Sequence, residues 1–184
     1  IIESTGTGGG MKLFCAGVGA QHPDVTNASR AIKKSELKKC KANGVTPVEM
    51  MVGFDGIVLA GNKSGKQLKL TRTQLYKATA KEVWDGSKFV KNPYKKWSDI
   101  DPSLPDLNIN IMGPPPTSGT RDAYVELVQH KACKKLGLKK KGPSGYKTRC
   151  SAVREDGGYV EAGENDNLII QKLVADKDRY GIFG

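Results

Sequence analysis

Histidine is scarce: His22 and His130 are the only two in 184 residues, and the four cysteines, Cys15, Cys40, Cys133 and Cys150, contain no C-x-x-C pair. Zinc-ligand spacing and a thioredoxin-type redox motif are therefore both missing. No apolar run approaches the roughly 18 residues that a membrane-spanning helix needs. The opening residues, IIESTGTGGG, carry neither a basic nor an apolar leader pattern, so an export signal is expected to lie outside this sequence. No G-x-S-x-G elbow occurs. His22 stands beside Pro23 and His130 among lysines, neither with a serine or cysteine at a motif spacing, so no nucleophile and base are announced. The acidic run VREDGGYVEAGEND, residues 153–166, reads as a solvated loop rather than a metal cage. The expectation is a protein that is not an enzyme and holds no metal or cofactor.

What is present is a chain long enough to bury a real core, with 38% hydrophobic residues and a formal charge of +11. The surplus is mostly lysine on helix surfaces, as in KKSELKKCK and KACKKLGLKKK, without interleaved aromatics. The charge suits nucleic acid, an anionic surface or a small anion alike, and the lysine pattern favours a solvated basic face over a nucleic-acid site. The cysteine spacings suggest two local disulfides, Cys15 with Cys40 and Cys133 with Cys150, formed in an oxidising compartment. Four buried thiols remain the alternative.

Along the chain, STGTGGG at residues 4–10 reads as a glycine-rich loop opening a short helix. A helix is expected over residues 34–43, stopping at Gly44. VEMMVGFDGIVLAGN, residues 48–62, reads as one long strand or a strand pair with Asp55 in its middle. LTRTQLYKATAKEVWDG has a capping Thr71 and apolar Leu75, Ala78 and Val83, as one helix would. NINIMG, residues 108–113, alternates as a strand; TRDAYVELVQHKACKKLG reads as a long helix ending at Gly137, with Ala123, Leu127 and Cys133 near one face. KKKGPSGYK reads as a basic loop, residues 164–178 as a helix, and RYGIFG as a strand. Strands alternating with helices, without repeats, give an α/β fold. An opening directly on a glycine loop and a close on apolar GIFG are what a central fragment of a longer protein would show.

The stretch GPPPTSGTRDAY points to chemistry. Pro114 to Pro116 stiffen the approach to a helix start, where unpaired N–H groups and the helix dipole favour an anion. Ser118 and Thr120 add hydroxyls, Gly119 clears the approach, and Arg121 brings a guanidinium fork. An ordinary N-cap would need neither the glycine nor the arginine. STGTGGG is a second such phrase; it is not a Walker sequence, because no Gly-Lys-Ser/Thr follows. Asp55 is an oddity in an apolar run. It reads either as a hinge aspartate satisfied by backbone N–H groups or an arginine, or as a carboxylate that accepts a hydrogen bond from a ligand still carrying a proton, as phosphate does near neutral pH, and repels one that carries none, as with sulfate.

Taken in order, STGTGGG, NASRAIK, GFDGIVLAGN and GPPPTSGTRDAY resemble the periplasmic phosphate-binding proteins of ABC phosphate importers, the PstS family, over nearly the whole chain. The resemblance implies a periplasmic-binding-protein-like α/β fold of two lobes joined by hinge strands. Residues 1–59 would form part of the first lobe, which is incomplete, residues 60–180 the second lobe, and residues 181–184 the start of a return crossing. It implies a phosphate held by Thr7 and Gly8, by Ser29, by Asp55 as proton acceptor, and by Ser118, Gly119, Thr120 and Arg121. It also implies a full-length monomer in the periplasm that delivers inorganic phosphate to membrane permease subunits, without cofactor or nucleic acid. In some members an aspartate follows the serine matching Ser29, whereas here Arg30 does, so the carboxylate has to come from GFDG. The alternative is an anion cradle that binds or hydrolyses a phosphorylated small molecule. A chain lacking part of one lobe is expected to be less stable, or more prone to associate, than the full protein.

Overall fold

The computed structural model describes residues 6–54, 56–141 and 145–184. In chain order its helices are α1 (Gly6–Phe14), α2 (Lys34–Ala42), α3 (Arg72–Thr79), α4 (Trp97–Ile100), α5 (Gly119–Tyr124), α6 (Lys131–Lys135), α7 (Leu138–Lys141), α8 (Tyr146–Ser151) and α9 (Asp166–Ala175). A π-helical segment, Val125–His130, joins α5 to α6. The strands are β1 (Val58–Gly61), β2 (Glu82–Trp84), β3 (Phe89–Lys91), β4 (Ile111–Gly113), β5 (Tyr159–Glu161) and β6 (Tyr180–Phe183).

Four strands make a mixed sheet in the order β1-β6-β4-β5, with β4 parallel to both β5 and β6, and β1 antiparallel to β6. The larger core forms where Ile111, Tyr159, Tyr180 and Ile182 of the sheet meet Trp97, Ala78, Tyr124 and Val153. Helix α9 lies on β6 through the buried Ile169 and Leu173. A Cβ on Gly181 would stand 2.7 Å from Ile169 Cγ2 and 3.0 Å from Leu173 Cδ1, so glycine at this strand position is what admits the helix. A second core joins Tyr76 and Ala80 to Val83 and Phe89 of the β2–β3 hairpin and to Ala132, Cys133, Leu138 and Cys150.

The α/β class is as read from the sequence, and so are the helix stop at Gly44, which takes φ +75°, and the Thr71 cap, whose hydroxyl accepts from the Gln74 N–H at 3.2 Å. Several elements differ. The glycines of STGTGGG from Gly6 onward lie inside α1, not in a loop before it. Within residues 48–62 only β1 is a strand. Val48, Met50, Met51, Val52 and Phe54 are exposed, because a strand needs a ladder and this segment finds none among the described residues. Helix α3 stops at Thr79, and Val83 belongs to β2, pairing with Val90 across the Asp85-Gly86 turn. The long helix is broken by its π segment. Each i→i+5 turn takes up an additional residue, so the apolar stripe rotates: Gln129 is buried, and Leu127, expected on the inner face, is exposed. Part of the expected basic loop is helical, in α7 and α8.

Both disulfides form as the spacing suggested. Cys15–Cys40 ties the end of α1 to α2, Cys133–Cys150 ties α6 to α8, and all four cysteines are buried. Each closes a loop short enough that its loss costs about 3 kcal/mol through the entropy regained by the unfolded chain. The first has the larger local effect, because the apolar cluster beneath α1 and α2 is otherwise only Val45, with Phe14 and Ile32 at its edge. Cys15→Ala with Cys40→Ala is expected to speed amide hydrogen exchange throughout residues 6–45 while leaving the mixed sheet protected. Uniform protection in the double variant would show that these helices hold without the bridge.

Candidate functional site

The site grows from the C-terminal end of β4. In open α/β sheets, ligands settle outside the carboxyl ends of the parallel strands. Beyond Gly113 the Pro114 carbonyl accepts two hydrogen bonds, from the Arg121 Nη1 at 2.8 Å and from the Tyr159 hydroxyl at 2.9 Å. The Arg121 guanidinium lies over the Tyr159 ring, 4.9 Å from its centroid. Burial pushes the Tyr159 phenol up to about 12, against the opposing pull of Arg121, so Tyr159 is a constant hydrogen-bond donor at neutral pH. The proline stretch is thereby held at a fixed height above the sheet.

Next, the Ser118 hydroxyl caps α5 by accepting from the Thr120 N–H at 3.1 Å. The helical run that starts at Gly119 continues through the π segment to Lys135, longer than α5 alone. Against its first turn comes α1. The Gly8 N–H donates to the Thr117 carbonyl at 3.3 Å. Gly119 faces Thr7 so closely that a Cβ on it would overlap the Thr7 hydroxyl and stand 2.8 Å from Thr7 Cβ and 3.1 Å from Ser29 Cβ. The Thr7 hydroxyl accepts in turn from the Ser29 N–H at 3.1 Å. Three segments far apart in sequence thus meet at one point.

Of the residues singled out from the sequence, Thr7, Gly8, Ser29, Ser118, Gly119 and Thr120 are brought together. Thr7 and Ser118 are buried, and each uses its oxygen as an acceptor from a backbone N–H, which leaves the hydroxyl hydrogen to donate. Arg121 is turned to Pro114 and Tyr159, where it braces the strand end. Asp55 lies outside the described residues.

Sequence reasoning missed the charge network around this cluster. Arg30 Nε donates to Asp122 Oδ2 at 2.7 Å, its Nη1 and Nη2 fork onto Glu36 at 2.9 and 2.8 Å, and Lys33 Nζ reaches the same Asp122 oxygen at 2.8 Å. Arg30 holds the Glu36 carboxyl below its ordinary range, helped by the Lys33 N–H and opposed by burial. No local motif links position 30 to position 122, so this pairing had no signal in the sequence. It also missed Tyr159: the run 153–166 reads as a solvated loop, whereas Tyr159–Glu161 form β5 and Val153, Arg154 and Tyr159 are buried.

His130 does find a serine in space: its Nε2 is 2.7 Å from Ser151 Oγ. The Ser151 hydroxyl spends its one hydrogen on the Lys147 carbonyl at 2.8 Å, so it receives a hydrogen bond from the imidazole instead of giving up a proton to it. A serine nucleophile needs the reverse. Burial, with the nearby Lys147, depresses the His130 pKa below its usual value. The unfolded chain therefore binds this proton more readily, and the stability present above about pH 6.5 is lost as pH falls below it. Thermal unfolding at pH 7.5 and 5.5 is expected to show a smaller drop in Tm for His130→Gln than for the parent. Equal drops would remove His130 from the account.

Among the described residues no helix is long and apolar enough to cross a membrane, and no cluster of three or more acidic, histidine or cysteine side chains could hold a metal ion. Residues 2–184 match the profile described as PBP superfamily domain. The chain is 32% identical over 183 residues, all of its own length and 44% of the relative's, to Protein SphX of Synechococcus elongatus. It is 35% identical over 180 residues, 97% of its length and 43% of the relative's, to Phosphate-binding protein PstS of Staphylococcus epidermidis. The crystal structure of a possible phosphate binding protein from Planctomyces limnophilus superposes with a TM-score of 0.53 at 31% identity, covering 98% of this chain and 52% of that one. The chain thus spans less than half the length of the two curated relatives, the second of which is named as a phosphate-binding protein.

Proposed function

The chain belongs to the PBP superfamily domain family, and from that premise we propose that it binds inorganic phosphate and, in its full-length form, delivers it to an ABC-type import permease from the periplasm or outer face of the membrane. The observation that carries this reading is the meeting of Thr7, Gly8, Ser29, Ser118 and Gly119 at one helix start. The hydroxyl hydrogens of Thr7 and Ser118, converging at the positive end of a helical run, are the complement of a small oxyanion. The relatives named for phosphate supply the identity of that anion. Thr120 adds a hydroxyl at the same turn, and Arg121 supplies positive charge from its place behind it.

In this proposal residues 1–59 belong to one lobe and residues 60–180 to the other, with residues 181–184 beginning the crossing between them. The ligand sits beside the point where α1 and the Ser29 turn meet α5. Asp55 would select a protonated ligand: it accepts the proton that phosphate keeps near neutral pH, and sulfate offers none. Calorimetric titration of the full-length protein with phosphate and with sulfate tests both parts. The expected result is phosphate binding with sulfate silent, and loss of the phosphate signal in Asp55→Ala. Silence toward phosphate would overturn the reading, and preferential binding of a phosphate ester would support the alternative of a phosphorylated small-molecule ligand.

A further inference from the structure

Arg30 occupies a position where a side chain could reach toward the anion cluster, yet every nitrogen of its guanidinium is engaged within the protein. Nε goes to Asp122, Nη1 to Glu36 and to the Ala31 carbonyl at 3.1 Å, and Nη2 to Glu36. Only 13% of the side chain is exposed. A guanidinium with four of its five N–H donors committed, three of them to carboxylates, is a structural tie.

What the tie joins is informative. Ser29 is bonded through its own N–H to Thr7, and Arg30, the next residue, is bonded to Asp122, on the first turn of the helix that Ser118 caps. The dipeptide Ser29-Arg30 is thus fastened on one side to α1 and on the other to α5. Asp122 is a carboxylate one turn into a helix whose start faces the cluster, where uncompensated negative charge would oppose an incoming anion. Arg30 and Lys33 both meet its Oδ2, at 2.7 and 2.8 Å.

We propose that Arg30 is a positioning residue of the anion cluster, acting through Asp122: it fixes the Ser29 turn against Thr7 and α5, and it offsets the one carboxylate in the first turn of α5. This rests on the phosphate reading given above. The pair replaces a local device with a long-range one, because the charge that follows Ser29 in the chain is balanced by a residue on a different element.

The test is a double-mutant cycle in the full-length protein, read in two ways. Arg30→Gln and Asp122→Asn are each combined and compared for phosphate Kd by calorimetry, and, without any phosphate, for the exchange rate of the Ser29 amide. Arg30→Gln is expected to weaken phosphate binding by about tenfold, the scale of one lost charge-assisted hydrogen bond. The double variant is expected to be no weaker than Arg30→Gln alone, and Arg30→Lys to fall between Arg30→Gln and the parent, since lysine keeps the charge but not the fork. The Ser29 amide should exchange faster in Arg30→Gln. Additive effects in the cycle, or a Ser29 amide as protected in Arg30→Gln as in the parent, would overturn the proposal. If the parent protein itself does not bind phosphate, the functional reading fails, and the Ser29 exchange alone decides whether Arg30 positions the turn.

Discussion

Gly119→Ala is expected to weaken phosphate binding by about 100-fold or more, which corresponds to roughly 2.7 kcal/mol. The new methyl would overlap the Thr7 hydroxyl and press on Thr7 Cβ at 2.8 Å and Ser29 Cβ at 3.1 Å. None of these is the far end of a flexible side chain, so α1 and the Ser29 turn must both retreat from α5. The donors would then point past one another, and the Ser29 N–H bond to Thr7 would lengthen from its 3.1 Å. Overpacking of this kind also lowers stability by about 1–3 kcal/mol. Gly44→Ala separates the two effects: Gly44 has φ +75° and open space around its would-be Cβ, so its substitution strains the backbone without touching the cluster. Calorimetry and thermal unfolding on both variants give the comparison. Phosphate binding that survives in Gly119→Ala would place the anion elsewhere.

A large loss of stability is expected at Arg154. Its side chain is almost wholly buried, donates through Nη1 to the carbonyls of Ala78 at 3.1 Å and Tyr94 at 2.9 Å, and forks onto Asp156 at 2.6 and 2.8 Å. Arg154→Met keeps the apolar stem but strands these carbonyls and removes the carboxylate's principal partner, at a cost of about 3 kcal/mol. Asp156→Asn should cost less, because Lys95 and solvent already share that carboxylate and the two carbonyls keep their donor. Arg154 holds the Asp156 carboxyl well below the usual carboxylate range, against the opposing effect of burial. A folded-state value below the unfolded one means stability that is fully present above about pH 4 and lost as pH falls further. Chemical denaturation across pH 2–6 should therefore give a shallower acid loss in Asp156→Asn than in the parent. A parent-like midpoint for Arg154→Met would show that neighbouring groups or water replace the guanidinium.

Neither Arg154 nor Arg30 could be ranked above the other cations from sequence, since what distinguishes them is burial against distant partners. Local signals fared better. The cap at Thr71, the stop at Gly44 and a helix opening within a residue of Thr120 all depend on residues within one turn, and each was legible, whereas Ser118 serves as the ordinary N-cap that the reading of this stretch had set aside. The proline and glycine phrases also marked where α1, the Ser29 turn and α5 would converge. Errors arose where a third party decides the outcome. The apolar residues 48–54 lack a pairing strand among the described residues, Val83 answers to Val90 across a hairpin, and the π segment resets the helical face on which an unbroken helix puts Leu127 with Ala123. Arg121 shows the same limit at the site: its type and place were legible, but its engagement with Pro114 and Tyr159 was not.

The position of β6 has a consequence for how the molecule is made. Of the four strands in the mixed sheet it is the last in the chain, yet it sits between β1 and β4 and is the only strand that pairs with both. Until Tyr180 to Phe183 have been synthesised, β1 has no neighbour among the described residues, and of the described strands of this sheet β4 and β5 alone can pair. Gly61 must wait for Tyr180, its partner in the ladder, through the translation of everything between them. Sheet completion is therefore a late, long-range closure rather than a progressive zippering from the N-terminus, and such contacts fold slowly. Until that closure the chain emerging from the ribosome carries an open strand edge, which leaves it exposed to pairing with other chains.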